Sequence, residues 1–305
     1  MKTTKSHKVT TPNKAYCVLA SSLGVAALTL LINSLSVFTA SSDTLADWKA
    51  EAISPVANPL FFESPLIQSE VRPIFMYHNI SDDFIGGFAR VYAVQLRYAV
   101  TERLAIIATK DGFIQLRPNV AALRKDGWAD IGAGLKYALI DDKENNFILT
   151  PGVKYELPSG NTRVFQGNGD GEFDVFVSAM KGWDKFHATA SVGGRIPVNF
   201  DDETASLHYS LQLDYHVCQW FIPFAVASGH TVLNEGKGPA FKVEGFDLIN
   251  FGASDAGGFT QIAVGGGFRS RLCKWADVGF AYEKGVTSPK GLFDDRFTVD
   301  MIVKF

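Results

Sequence analysis

From about residue 70 onward the chain alternates apolar and polar positions with a period of two. In "SLHYSLQLDYHV", Leu207, Tyr209, Leu211, Leu213, Tyr215 and Val217 share one face, and His208, Ser210, Gln212, Asp214 and His216 share the other. Strand geometry produces this division, because successive side chains leave opposite faces. "VYAVQLRYAV", "WADIGAGLKYALI", "NNFILTPGVKYEL" and "FHATASVGGRI" divide the same way. The alternation predicts twelve strands, over 70–78, 88–100, 102–112, 127–140, 146–157, 172–182, 185–196, 206–217, 219–229, 258–268, 274–284 and 294–305.

The connections alternate in length. "VTER", "DDKEN", "GWDK", "VCQW" and "RSRLCK" are short, and the stretches near 79–87, 113–126, 158–171, 197–205, 230–257 and 285–293 are long. Tight turns at one end and long loops at the other are the signature of an up-and-down barrel in the bacterial outer membrane. The predicted fold is therefore all-β, a transmembrane antiparallel up-and-down β-barrel over 70–305. Trp183, Trp220 and Trp275 fall at short turns and Trp128 at the opposite end, which reads as two aromatic girdles. The chain ends on "FTVDMIVKF", with Val299, Met301, Val303 and Phe305 on one face. That ending predicts a closing strand, and it resembles the C-terminal signal read by the outer-membrane assembly machinery. The expected partners are thus a lipid bilayer, that machinery through Phe305, and a small-molecule solute.

The N-terminal part has a different character. Lys2, Lys5, Lys8 and Lys14 precede an apolar run from about Cys17 to Phe38. A basic region followed by an apolar one is an export signal. We read 1–46 as a signal peptide, with cleavage near Ala46 or Ala40; an uncleaved inner-membrane anchor is the alternative. Residues 47–69, "EAISPVANPLFFESPLIQSE" among them, hold three Pro and little periodicity. They read as a periplasmic N-terminal segment or as a plug entering the barrel.

Composition adds two points. A net charge of -3 gives no basic field for nucleic acid, so no nucleic-acid partner is expected. The chain has 24 Phe and 28 Gly, a pairing that suits strands burying aromatics while packing backbone closely. Of three cysteines, Cys218 and Cys273 lie in short turns on neighbouring hairpins, where a disulfide and two separate thiols are both open readings.

"DGWADIGAGLKYALI", "FILTPGVKYELPSG", "VFQGNGDGEFDVFVSAMKGW", "SLHYSLQLDYHV" and the last strand resemble the outer-membrane transporter family grouped with the meta-pathway of phenol degradation. The resemblance covers roughly residues 55–305. It implies a barrel, outer-membrane placement and uptake of small hydrophobic compounds, and it supplies no catalytic residues.

In such a barrel the polar face turns inward. The candidate lumen-lining residues are Arg97, Asp130, Lys136, Lys154, Glu156, His187, Arg195, His208, Gln212, Asp214, His216 and Arg269. Asp174, Gln261, Asp277, Glu283, Asp300 and Lys304 share their parity. Both signs occur, so these groups either pair and fill the lumen or leave a narrow polar path. Phe241, Phe246 and Phe251 make the 230–257 loop unusually apolar and are candidates for solute contact. "HYS" at 208–210 matches the His-x-Ser spacing of outer-membrane phospholipases, but the parity puts both residues inside, away from lipid. "GNGDGE" at 167–172 has too few oxygens for a calcium loop, and "VGGGF" at 264–268 lacks the Lys-Ser/Thr of a phosphate loop. No cofactor, metal or catalytic residue is expected. The sequence points to a passive outer-membrane channel for small hydrophobic or aromatic solutes. The alternatives are a structural or surface-interaction barrel and, less well supported, a lipid-modifying barrel enzyme.

Overall fold

The computed structural model describes residues 48–305. The segment expected to be a signal peptide, with Cys17, lies outside the described residues. The wall is a closed antiparallel barrel of twelve strands in chain order. The first two are β1 (Glu70–Asn79) and β2 (Gly87–Ala99). The third is split into β3 (Leu104–Lys110) and β4 (Phe113–Pro118), and the fourth into β5 (Lys125–Trp128) and β6 (Ile131–Tyr137). A short β7 (Ile140–Asp142) adds to the edge of β8 (Phe147–Leu157). Then follow β9 (Glu172–Trp183), β10 (Phe186–Pro197), β11 (Ala205–Tyr215), β12 (Ile222–Asn234), β13 (Thr260–Cys273), β14 (Ala276–Gly285) and β15 (Asp295–Lys304). Closure comes from β1 against β15, with Glu70 opposite Lys304 and Asn79 opposite Asp295. Closure removes the long exposed ladder an open sheet would present; only the short β5 and β7 keep a strand partner on one side alone.

Side-chain burial follows the alternation. Along β11, Ser206, His208, Ser210, Gln212 and Asp214 are buried while Leu211, Leu213 and Tyr215 are exposed. The outer face is apolar, with Tyr98, Leu135, Val175, Val192 and Phe268 among its exposed side chains. A face of this kind belongs in hydrocarbon, not water. Trp183, Trp220 and Trp275 are exposed at the short-turn end and Trp128 at the other.

Most predicted strands fit within a few residues. The ninth and tenth run five residues past their expected ends, to Asn234 and Cys273, so most of "RSRLCK" is strand and not turn; the third and fourth depart in a different way. The alternation predicts a third strand ending at Gly112 and a loop over 113–126. Instead the strand continues to Pro118, with Tyr92 of β2 opposite Phe113 and Gly87 opposite Pro118. The inward parity changes on the way. Ala105, Ile107 and Thr109 are buried in β3, whereas Ile114 and Leu116 are buried in β4. The fourth strand changes parity too, between Gly127 in β5 and Gly132 and Lys136 in β6. Two adjacent strands thus carry an extra residue at the same height, a β-bulge pair that opens the ladder. Gly112 makes it feasible: its φ is +114°, and a Cβ there would collide with the Tyr92 carbonyl. Asp-Gly ordinarily marks a turn, and here it sits inside a continuing strand.

Candidate functional site

Residues 48–69 run inside the barrel as a hairpin that rises from the short-turn end and returns to it. On the rising arm, Arg271 donates to the carbonyls of Ala50 and Ala52, and Arg269 to that of Ser54 (3.2 Å). Arg72 donates to the Pro55 carbonyl (2.7 Å). The apex is Asn58–Phe62. Asn58 donates from its backbone N–H to Glu283 Oε2 and from Nδ2 to Ser210 Oγ, both at 3.2 Å. Gln95 and Lys154 donate to the carbonyls of Pro59 (2.7 Å) and Leu60 (2.8 Å). The returning arm gives the Ser64 carbonyl to Lys136 and the Pro65 carbonyl to Thr150, both at 2.7 Å.

The physical logic is simple. An extended segment with three prolines makes almost no backbone bonds of its own, and buried carbonyls need donors. The wall supplies Arg, Lys, Gln and Thr side chains for them. Glu63 is the segment's fully buried charge. Glu63 takes both Nη2 (2.6 Å) and Nε (2.8 Å) of Arg97 and also Nζ of Lys136 (2.7 Å). Ile53, Val56 and Phe62 pack on Ile222, Phe224, Val226 and Ala281. At Gly279 the approach is so close that a Cβ would lie 2.7 Å from Val56. Phe61 stacks on His208 with centroids 4.3 Å apart, and the Arg195 guanidinium sits 5.1 Å from its ring centre.

The predicted lumen residues sort as follows. Arg97, Lys136, Lys154 and Arg269 hold the inner segment, and Arg269 also pairs with Asp300 (2.9 Å). Arg195 pairs with Glu172 (2.5 Å), His208 with Asp174 (2.8 Å), and His187 with Asp214 (2.9 Å), beside Gln212. These groups are buried. Asp130 accepts from the loop amides of Gly160 (2.8 Å) and Gly167 (2.9 Å), so it staples a loop at the wall break. Glu156 is partly exposed and pairs with Lys110. His216 sits at the short-turn rim, partly exposed, 3.7 Å from Glu51. His208 and Ser210 point inward; Ser210 bonds to Ser228 (2.9 Å), so the two do not form a nucleophile–base pair. Cys218 and Cys273 are exposed free thiols.

The loop between β12 and β13 folds over the opposite mouth. Its Glu244 accepts from the backbone of Gly245, Phe251 and Ala253, closing the loop on itself. Arg296 holds Asp247 (2.7 Å), and Asn250 bridges Glu172 (3.2 Å) and Thr204 (3.0 Å). Phe241 and Phe251 meet Phe84 and Phe165 in an aromatic cluster, and Phe246 stacks on Phe293 at 5.1 Å. Glu203, beside this clamp, has its carboxyl pushed up to about 8 by burial and by the neighbouring Glu172 charge.

A vestibule of about 290 Å³ at the short-turn end lies between the arms of the inner segment, with Lys49, Asp141, Asp277 and Lys304 on its rim. A recess of about 680 Å³ lies on the outside of the wall at the bulge pair, lined by Pro73, Tyr92, Val94, Gly112, Trp128 and Ile131. Ile74, Ala93, Asp111 and Ala129 line this recess and also an interior slot that reaches Leu60 and Leu248.

Sequence reasoning missed Glu63, Arg72, Arg296 and Asp111. Arg296 shares the parity of Asp300 and was legible. Glu63 lies in an aperiodic segment, where parity gives no direction. Asp111 stands at the bulge, where parity fails.

No family model matches the chain, and no curated protein matches it. Among solved structures it is similar to the crystal structure of an outer membrane channel from Pseudomonas putida F1. The TM-score is 0.57 at 14% identity, covering 83% of this chain and 100% of that one. It is also similar to the NanC porin, with a TM-score of 0.50 at 8% identity over 78% of this chain and 100% of the other. Such identities speak to architecture: the chain has the closed antiparallel barrel fold of outer-membrane proteins.

Proposed function

We propose that the protein is an outer-membrane channel for small apolar or aromatic solutes, which cross by diffusion through the wall recess instead of down the barrel axis. The similarity in fold to an outer membrane channel and a porin supports a channel role. The resemblance to the phenol meta-pathway transporters supports the solute class. The observation that carries the route is the shared lining: Ile74, Ala93, Asp111 and Ala129 face both the outer recess and the inner slot. The axis itself is occupied by the 48–69 hairpin and capped by the 241–253 loop. A solute entering from the side meets apolar walls and leaves toward the vestibule once the hairpin shifts. The filled axis also favours a second reading, a barrel that transports nothing. The lipid-modifying reading finds no support, because His208 and Ser210 face inward.

The test is uptake of a fluorescent aromatic hydrocarbon by proteoliposomes. Protein-dependent uptake, reduced when a disulfide ties the hairpin to the wall, is expected. Uptake equal to that of empty liposomes overturns the channel reading in favour of a structural barrel.

A further inference from the structure

The wall recess contains an ionisable group that needs explaining. Asp111 stands about midway along the strand, opposite the centre of β2. Its Oδ1 accepts from the Val94 amide at 2.9 Å, replacing the ladder bond that the bulge removes. Among the described residues its carboxyl has no other polar partner. No lysine, arginine or histidine pairs with it. The contrast with the lumen is sharp, since Asp174, Asp214 and Asp300 each have a basic partner there. An acidic side chain at mid-height of a membrane wall is costly and ordinarily faces a partner.

We propose that the recess is a binding site for apolar molecules ending in a hydrogen-bond donor, an ammonium before a hydroxyl, with Asp111 as the acceptor that sets this preference. The inference rests on the lateral route above and names the solute class it would favour. The recess supplies the apolar contact: Tyr92, Val94, Trp128 and Ile131 surround it, and Tyr92, Val94, Trp128 and Ile131 are all exposed on the outer face. The second carboxylate oxygen supplies the charged contact; the Ser159 hydroxyl, which also lines the recess, is already engaged by the Ile131 amide (3.2 Å) and the Leu157 carbonyl (3.4 Å). A donor head satisfies that oxygen; a carboxylate head meets a like charge or an acceptor with nothing to accept. A charge-assisted bond in such surroundings is stronger than a neutral one, which places ammonium ahead of hydroxyl.

Trp128 lines the recess and reports on it. The experiment uses the full barrel in a neutral detergent, with the other four tryptophans changed to Phe, and a nitroxide-labelled alkyl chain that quenches Trp128. Dodecylamine, dodecanol and dodecanoate then compete with the quencher. Amine should outcompete alcohol and alcohol should outcompete carboxylate, with amine ahead of carboxylate by about tenfold or more. Asp111→Asn retains an oxygen for the Val94 amide and removes the charge, so the wall stays intact. In that variant amine and carboxylate should compete within about twofold of each other. Equal competition by amine and carboxylate in the parent, or an unchanged order in Asp111→Asn, overturns the proposal. Should the Trp replacements unfold the barrel, calorimetric titration of the parent and Asp111→Asn proteins reads the same order. Hydrocarbon uptake without head-group preference would defeat this site and leave the channel reading standing. Preference without uptake would do the reverse.

Discussion

At the scale of single residues, the barrel interior is a set of charges that are each answered. Glu63 is such a charge in the inner segment, where one carboxylate answers both Arg97 and Lys136. Removing one partner of a buried pair costs about 3–5 kcal/mol, because the other charge is left without compensation. Glu63→Ala should therefore unseat the returning arm. Planar-bilayer recordings should show openings absent from the parent, and Glu63→Asp should show fewer of them. Silent recordings from Glu63→Ala would mean that the hairpin is held by its carbonyl contacts alone. Glu203 offers a pH test. Its folded carboxyl titrates at about 8, above its ordinary value of 4.5. The folded state therefore keeps a proton that the unfolded segment loses, and its contribution to stability falls as pH rises from about 4.5 to 8. Amides that bond Asn250 and Glu244, such as Thr204 and Phe251, should lose hydrogen-exchange protection over that range, after correction for intrinsic rates. Glu203→Gln should flatten the profile; a parent profile that is already flat contradicts the assignment.

At the scale of elements, two features depart from regular strands, and both were hard to read. The inner hairpin has no period, so its place inside the barrel depends on wall donors distributed over β1, β2, β6, β8 and β13. Those donors were legible one by one as inward-facing residues, but what they hold was not. The bulge pair depends on Gly112, at φ +114°. Gly112→Val puts a branched side chain into a conformation worth about 1–3 kcal/mol of strain and into the Tyr92 carbonyl. The expected result is a lower urea midpoint for bilayer-folded protein together with loss of recess binding. A variant as stable as the parent and binding equally well would show that the break does not depend on glycine.

At the scale of the whole molecule, the two faces of the wall have opposite chemistry, and substitutions should respond accordingly. Leu211→Arg places a charge on the outer face and should cost about 2–4 kcal/mol if it lies near the bilayer midplane. Gln212→Leu, one position away and facing inward, removes a hydrogen bond to Asp214 and should cost about 0.5–1.5 kcal/mol. Reversible folding into bilayers of short-chain lipid measures both. Similar costs for the two would contradict the assignment of faces.

Alternation determined the strand number and which side chains face inward, because strand geometry converts parity into direction at every regular position. Turn lengths determined that neighbours pair in sequence. Tertiary structure decided everything that parity cannot address. It placed the aperiodic 48–69 segment among donors scattered across five strands, folded the apolar 241–253 loop over the mouth, and let two adjacent strands gain a residue at one height. That last event reverses parity locally and turns Asp111 from a predicted strand terminus into the acceptor of a recess. Gly112 permits it, but the register of both neighbouring strands defines it, and no single stretch of sequence contains that register.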